Sequence, residues 1–354
     1  MPKDVQSASE PADRVRAAFR AALAGFDASR PAVVLGHFDA DGLSALAIFV
    51  RALRAAGREA QARIVGKGES VWGGGLAAEL AALKPGGLIV CDLGLREGEP
   101  APGVPTVVVD HHVPQGSAGG ATVIGGCDFQ PIPTSSLLAF WCAAELTDPE
   151  PLLWLAALGI IGDMAEDAGF PELDEARRRY GKTALKDAVS LINAPRRTAS
   201  ADAGPSLALL LKGESPKDVT GGRYPETELL KAAKAEVAAE LETARRVAPK
   251  VRDGVALIRF SSPTQIHPLI AQQWRGRLKG EIVLAANTGY RDGWVHFAAR
   301  SARDVDLIAW LAERRPEGAD DHYGSGHRAA TGGALRIPQW NAFVESLGFP
   351  EERL

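Results

Sequence analysis

Eight side chains able to bind a cation or move a proton fall in four short clusters. They are His37, Asp39 and Asp41 in His37-Phe-Asp-Ala-Asp-Gly42; Asp92 in Asp92-Leu-Gly94; Asp110-His111-His112; and Asp163 after Gly162. If the chain is extended at the first cluster, alternate residues point the same way, so His37, Asp39 and Asp41 share a face. Two carboxylates and an imidazole facing one way repel, or stay poorly solvated, unless a positive charge sits among them. A divalent metal is the usual answer. A single acidic turn is often only a solvated turn, so the case depends on whether the four clusters meet.

The elements that carry them decide this. Val33–Leu35 reads as a buried strand running into a helix, Leu43–Ala56, and Ala62–Val65 as a second strand. Leu76–Leu83 is expected to be a short helix, Gly87–Cys91 and Thr106–Val109 further strands, and Thr134–Leu146 and Pro151–Ile161 helices. Strands separated by helical segments imply βαβ units and a parallel sheet covered on both faces. Ligands bind beyond the carboxyl ends of such strands. Asp92 follows Cys91, and Asp110 follows Val109, so three strands deliver carboxylates or imidazoles to one edge of the sheet. Asp163 adds a carboxylate from the end of a helix. This convergence points to a metal centre.

The 354 residues exceed an ordinary single domain, and 46% hydrophobic with 24% charged residues is a globular composition. A formal charge of −4 provides no general basic field of the kind that holds a long nucleic acid, so a short substrate or a local groove is expected. Cys91, Cys127 and Cys142 are odd in number and lack CxxC spacing, which suits buried hydrophobes in a reducing compartment. The beginning of the chain shows no apolar signal core, and no apolar run is long enough to span a membrane. The expected location is the cytoplasm.

Beyond Asp163, Arg177-Arg-Arg179 reads as a solvated helix face, and Ala194-Pro-Arg-Arg197 as a basic turn. The Ala/Glu/Lys-rich stretch from Glu226 has too few large apolar residues for a core helix and suits a bridge between domains. A second strand–helix alternation starts near Val251. It leads to the run Gly324-Ser-Gly-His-Arg-Ala-Ala-Thr-Gly-Gly333. His267 and His296 carry no motif and read as structural, whereas Trp72 in its glycine-rich loop could stack a base or serve as an ordinary packing residue.

His37-x-Asp39-x-Asp41-Gly42, Asp92-x-Gly94, Asp110-His111-His112 and Gly162-Asp163, in that order, resemble the four motifs of the DHH phosphoesterase superfamily. Gly324-Ser-Gly-His327 is similar to the Gly-Gly-Gly-His signature of the DHHA1 domain that follows in most members, with Ser325 departing from it. Arg300-Ser301 resembles that domain's substrate-binding arginine. The resemblance spans about 30–340 and implies an α/β fold: an N-terminal parallel-sheet DHH domain with helices on both faces, a helical linker and a smaller α/β DHHA1 domain. The expected boundaries are an N-terminal helical extension at 1–30, a DHH catalytic domain at 31–225, a linker helix at 226–250 and a DHHA1 substrate-binding domain at 251–354.

Carried onto matching positions, the resemblance implies two divalent ions. His37, Asp39 and Asp92 would hold one, and Asp41, Asp92, His111 and Asp163 the other, with Asp92 bridging and a hydroxide between the ions attacking phosphorus. Carboxylate and imidazole ligands without thiolate favour Mn2+, with Mg2+, Co2+ or Zn2+ also compatible. His112 would face the phosphate as a catalytic residue beside Asp92, its alternative being a hydrogen bond that steadies a ligand. Arg300, His327 and the amide-rich turn of Gly324, Ser325 and Gly326 would grip a phosphate or terminal nucleotide, with His322 as a neighbouring candidate. Glu166 and Asp167 compete with Asp163, which also suits a helix cap.

The expected function is metal-dependent hydrolysis of phosphoester bonds in short oligonucleotides or linear dinucleotides. A RecJ-like single-stranded DNA exonuclease is the runner-up, and a non-catalytic nucleotide-binding module the alternative of another class. Partners are a short nucleic acid or dinucleotide, with a homodimer allowed and no membrane. The resemblance puts substrate selection in the half of the chain that begins near Val251.

Overall fold

The apolar runs that end in acidic clusters pair with one another. A computed structural model describes residues 11–319 and 323–354, residues 325–327 by their backbone. The chain divides into two compact units, Met1–Arg196 with Ala201–Lys231, and Arg197–Ser200 with Ala232–Leu354.

In the first unit, helix α1 (Pro11–Leu23) precedes strand β1 (Ala32–Gly36), helix α2 (Ala40–Ala55), strand β2 (Ala60–Ile64), helix α3 (Ala77–Leu83) and strand β3 (Gly87–Cys91). Strands β4 (Thr106–Asp110) and β5 (Thr122–Gly125) complete a five-stranded, all-parallel sheet of order β2-β1-β3-β4-β5. Helices α4 (Ser135–Ala143), α5 (Leu153–Gly162), α6 (Pro171–Tyr180), α7 (Lys182–Ile192), α8 (Gly204–Lys212) and α9 (Pro216–Thr220) follow, then α10 (Glu226–Ala244).

Strand alternation sends side chains to two cores. Val34, Ile89, Val107 and Val109 join Phe49, Leu46 and Trp154 of α2 and α5 on one face; Val33, Leu35, Leu88, Val90 and Val108 meet Leu80 of α3 and Val71 and Trp72 on the other. Trp72 is 7% exposed and packs against the sheet, so of its two readings the packing residue holds and the base-stacking platform does not. Because β2 lies on one side of β1 and β3 on the other, the strand order reverses between β1 and β3. A crevice opens there at the carboxyl ends.

The second unit has strands β6 (Lys250–Arg252) and β7 (Val255–Phe260), helix α11 (His267–Arg277), strands β8 (Ile282–Arg291) and β9 (Trp294–Ser301), and helix α12 (Leu307–Ala312). Strands β10 (Ser325–His327) and β11 (Ala330–Arg336) and helix α13 (Ile337–Ser346) end it. Its six-stranded sheet runs β10-β11-β9-β8-β7-β6, with β7 and β8 parallel and the other pairs antiparallel. Phe297, Trp340 and Phe343 fill one core, and Ile258, Val283, Ile266 and Ile270 the other. Along α10, Leu230 packs in the first unit's core, while Val237 and Ala244 pack in the second's. No helix among the described residues is long and apolar enough to cross a membrane.

Candidate metal centre

The crevice between β1 and β3 gathers the four clusters. His37 leaves β1, its N–H donating to Cys91 O at 3.3 Å. The chain then turns sooner than the alternation argument required. Asp39 is the N-cap of α2, accepting from Gly42 N at 3.1 Å, and Asp41 lies in the first turn of the helix. The helix starts at Ala40 and not at Leu43, because an aspartate cap stabilises that earlier start. Only Gly fits at position 42: a Cβ there would collide with His37 Cβ and its carbonyl.

Asp92 follows β3 with φ at +60°, a left-handed conformation uncommon for a non-glycine residue, and is 5% exposed. His111 and His112 follow β4, and Asp163 caps the C-terminus of α5. The cap and the candidate ligand are therefore the same residue. Glu166 is engaged elsewhere, by Arg177 at 2.9 Å and Lys186 at 3.1 Å, and Asp167 belongs to none of the site's clusters.

Three sets of ligand atoms lie within 4.8 Å of one another: His37, Asp39 and Asp92; Asp41, His111 and Asp163; and Asp92, His111 and His112. His37 Nδ1 is 3.1 Å from Asp39 Oδ1 and 3.7 Å from Asp92 Oδ2; His111 Nε2 is 3.2 Å from Asp163 Oδ2 and 3.5 Å from Asp92 Oδ1. His111 Nε2 is buried, and carboxylate oxygens are its polar neighbours there.

The electrostatics point the same way. Burial, then the charge of Asp163, pushes Asp41 up to about 6, and burial with Asp41 drives Asp92 well above the ordinary carboxylate range. Burial opposes a charge on His111, but Asp163 and Asp92 outweigh it and raise the imidazole to about 11. The cluster thus carries more negative charge than a buried site sustains by itself. A borderline-hard divalent cation relieves the crowding, and the oxygen and nitrogen donors fit one.

The protein holds these ligands by groups that sequence reasoning did not single out. The first N–H groups of α4 grip Asp41, Ser135 N at 2.8 Å from Oδ2 and Ser136 N at 2.9 Å from Oδ1, placing the carboxylate at the positive end of a helix. Ser135 Oγ donates to Asp92 Oδ1 at 3.0 Å. Arg196 Nη1 donates to Asp39 Oδ2 at 3.0 Å, and Ala40 N to Asn193 Oδ1 at 3.0 Å. A Cβ on Gly159 would overlap Ser136 Oγ and Asp41 Oδ1, so glycine there admits the whole arrangement.

Asp110, the first residue of the triplet, lies outside the ligand sets. It accepts from Gly94 N at 2.7 Å, His112 N at 2.8 Å and His112 Nδ1 at 2.8 Å. Burial would raise Asp110, but these donors hold it below the ordinary carboxylate range. An ionised aspartate only accepts, which fixes the Nδ1 proton of His112 and leaves Nε2 for chemistry. His112 lines a cleft of about 410 Å3 with His37, Asp39, Asp92 and Asp163.

In the second unit Arg300 lies on β9, opposite Ala330 of β11, its guanidinium donating to Ala299 O at 2.8 Å and Thr331 O at 3.0 Å. The glycine-rich run is not an open turn. Ser325–His327 forms β10 and pairs with β11, and Gly324 N donates to Gly332 O at 3.0 Å, so that amide is committed to the sheet. The contacts expected of the Ser325 and His327 side chains, and of His322, lie outside the described residues. Arg177 and Arg179 pair with Glu166 and with Glu150 and Glu175, and Arg178 with Glu175. They form an ion-paired helix face.

No family model and no curated protein matches the sequence. Solved structures do. RecJ from Thermus thermophilus in complex with Mn2+ superposes with a TM-score of 0.72 at 19% identity, covering 94% of this chain and 53% of that one. The chain spans about half the length of that RecJ. An exonuclease RecJ bound to manganese gives 0.67 at 20% identity over 96% and 94% of the two chains. The DHH domain of a member of the s1p family of ribosomal proteins gives 0.65 at 16% identity over 96% and 92%. The fold that carries the four motifs is that of the RecJ-type DHH structures.

Proposed function

We propose that this chain is a metal-dependent phosphodiesterase or exonuclease that hydrolyses phosphoester bonds of short oligonucleotides or linear dinucleotides. The observation that carries the reading is the pair of clusters, His37–Asp39–Asp92 and Asp41–His111–Asp163, joined where His111 Nε2 lies 3.5 Å from Asp92 Oδ1. The first set would hold one divalent ion, and the second, with Asp92 as the shared carboxylate, another. Mn2+ suits the donors, and the superposable RecJ structures bind Mn2+ or Mg2+. Two such ions, when bound, supply charge neutralisation on the phosphoryl oxygens, a more acidic water and relief of charge on the leaving oxygen.

The chain's own residues position and protonate. Arg196 and Gly42 N fix the rotamer of Asp39, and the α4 N-terminus fixes Asp41, so the ligand cage exists before substrate arrives. Asp110 orients His112 so that Nε2 faces the cleft. As water adds to phosphorus and the bond to the leaving sugar oxygen breaks, the imidazolium form of His112, its Nδ1–H held by Asp110, gives its Nε2 proton to that oxygen, and the proton released by the attacking water restores it. Products are a phosphomonoester and an alcohol.

The test is turnover of an end-labelled linear dinucleotide, a cyclic dinucleotide and a long single-stranded DNA side by side with manganese. Faster cutting of the linear dinucleotide is expected. Equal or faster cutting of the long strand would favour the RecJ-like exonuclease reading instead.

A further inference from the structure

The second unit's sheet carries at one end a cluster that the candidate metal centre does not use. Register places Arg291 of β8 opposite Trp294 of β9, and Trp294 opposite Arg336 of β11, so the three form one row across neighbouring strands. Val295, Phe297 and Leu335 point into the core that holds Phe343, so Trp294 and Arg336 stand on the other face. The Arg291 guanidinium lies over the Trp294 ring, 5.1 Å from its centroid, and that of Arg336 lies over it at 4.6 Å. Both arginines are exposed and the tryptophan is half-buried.

The backbone around the row is tied down. Gly293, at φ +76°, turns β8 into β9, and Ile337 N donates to Gly293 O at 3.3 Å, joining that turn to the start of α13. Arg336 is the N-cap residue of α13, and no side chain caps the helix. The end of the helix that favours negative charge thus lies at the same row.

The two charges are not neutralised by carboxylates. Other arginines of this unit are: Arg252 pairs with Glu351, Arg259 with Glu352 and Arg328 with Asp304. Among the described residues no carboxylate pairs with Arg291 or Arg336, Asp292 in the turn included, and neither guanidinium donates to a carbonyl. An aromatic ring under a guanidinium restrains its plane and leaves the N–H edge for another partner. Two such edges side by side suit phosphate oxygens, which arginine takes bidentately. They offer a local attraction for a phosphate chain on a molecule whose formal charge of −4 provides no general one.

We propose that Arg291, Trp294 and Arg336 hold the sugar-phosphate backbone of a single-stranded oligonucleotide, the tryptophan fixing the two guanidiniums that grip the phosphates. The choice of a phosphate chain over other anions rests on the phosphodiesterase reading. Trp294 lies six residues from Arg300 along β9, about 20 Å of extended chain, so the row is distinct from the arginine that the DHHA1 resemblance singles out.

The experiment measures binding of a fluorescent single strand of roughly ten nucleotides to the full chain, by anisotropy in a chelator that prevents cleavage, across a salt series. Arg291→Ala and Arg336→Ala should each raise Kd roughly ten-fold, the loss of one charged hydrogen-bonding contact. Each should also lower the slope of log Kd against log salt by about 0.7. Arg336→Lys should keep the slope and recover part of the affinity. Trp294→Ala should weaken binding without removing a charge, and Trp294→Phe should restore part of it. Unaltered Kd and slope in both arginine-to-alanine variants, or polyglutamate competing as well as an equally charged strand, would overturn the row as a strand site. Binding is read without metal, so this result is separate from turnover. A wild-type chain that binds the strand through this row, yet cuts no oligonucleotide with manganese, would support the row and overturn the phosphodiesterase reading.

Discussion

Asp110 shows how one triplet divides its labour. Its side chain takes three donors, two from His112 and one from Gly94, while His111 turns toward Asp92 and Asp163. The resemblance assigned His111 to a metal and His112 to the phosphate but gave Asp110 no role, because which side chain the end of β4 points inward is not written in the sequence. Asp110→Asn keeps the size and removes the charge that fixes the His112 tautomer. The expected outcome is a kcat lower by roughly 10²–10⁴-fold, the range for a general acid, with manganese affinity unchanged by calorimetry. A matching loss of metal affinity would make Asp110 a ligand after all. Arg196 and Ser135 were legible only as a basic turn and a helix start, since their contacts to Asp39 and Asp92 join residues far apart in sequence.

At the scale of elements, three of the five parallel strands were readable because each is a short β-branched or apolar run ending in an acid or a turn. β1, β3 and β4 are buried throughout, and such strands read as continuous apolar runs. β5 was not foreseen: three of its four residues are exposed, so no apolar run announces it. The start of α2 was misjudged for a related reason. Asp39 looked like one of a row of exposed ligands, yet its carboxylate also caps the helix.

The second unit ends on a different device. Buried Glu352, in the last turn of the chain, accepts from Lys250 on β6 and Arg259 on β7. Burial would raise this carboxyl, but the two cations outweigh it and hold it below its ordinary 4.5. A carboxyl lowered in the folded state contributes stability that is fully present above its unfolded pKa and is lost as the pH falls through the folded one. Melting of the full chain should therefore drop in temperature below about pH 4.5. Glu352→Gln should flatten that component of the acid limb. An acid limb identical in the variant would show that the ion pair adds no pH-dependent stability.

The chain forms two compact units, each with its own sheet, and among the described residues the candidate metal-ligand sets belong to the first. That concentration follows from topology: in a parallel sheet the reversal of strand order between β1 and β3 opens one crevice, and the four Asp/His motifs meet there. The ordered motifs made this much of the site legible.

The central claim is that Asp92 is shared between two metal-binding sets. It is tested most directly by titrating manganese into the full chain and its Asp92→Ala variant, with binding followed by calorimetry and by the electron-spin signal of bound manganese. Wild type should bind two ions whose spins couple through the shared carboxylate. The variant should lose that coupling, at least one of the ions and the turnover of a linear dinucleotide. An Asp92→Ala protein that still binds two coupled ions and still cuts the dinucleotide would contradict the account.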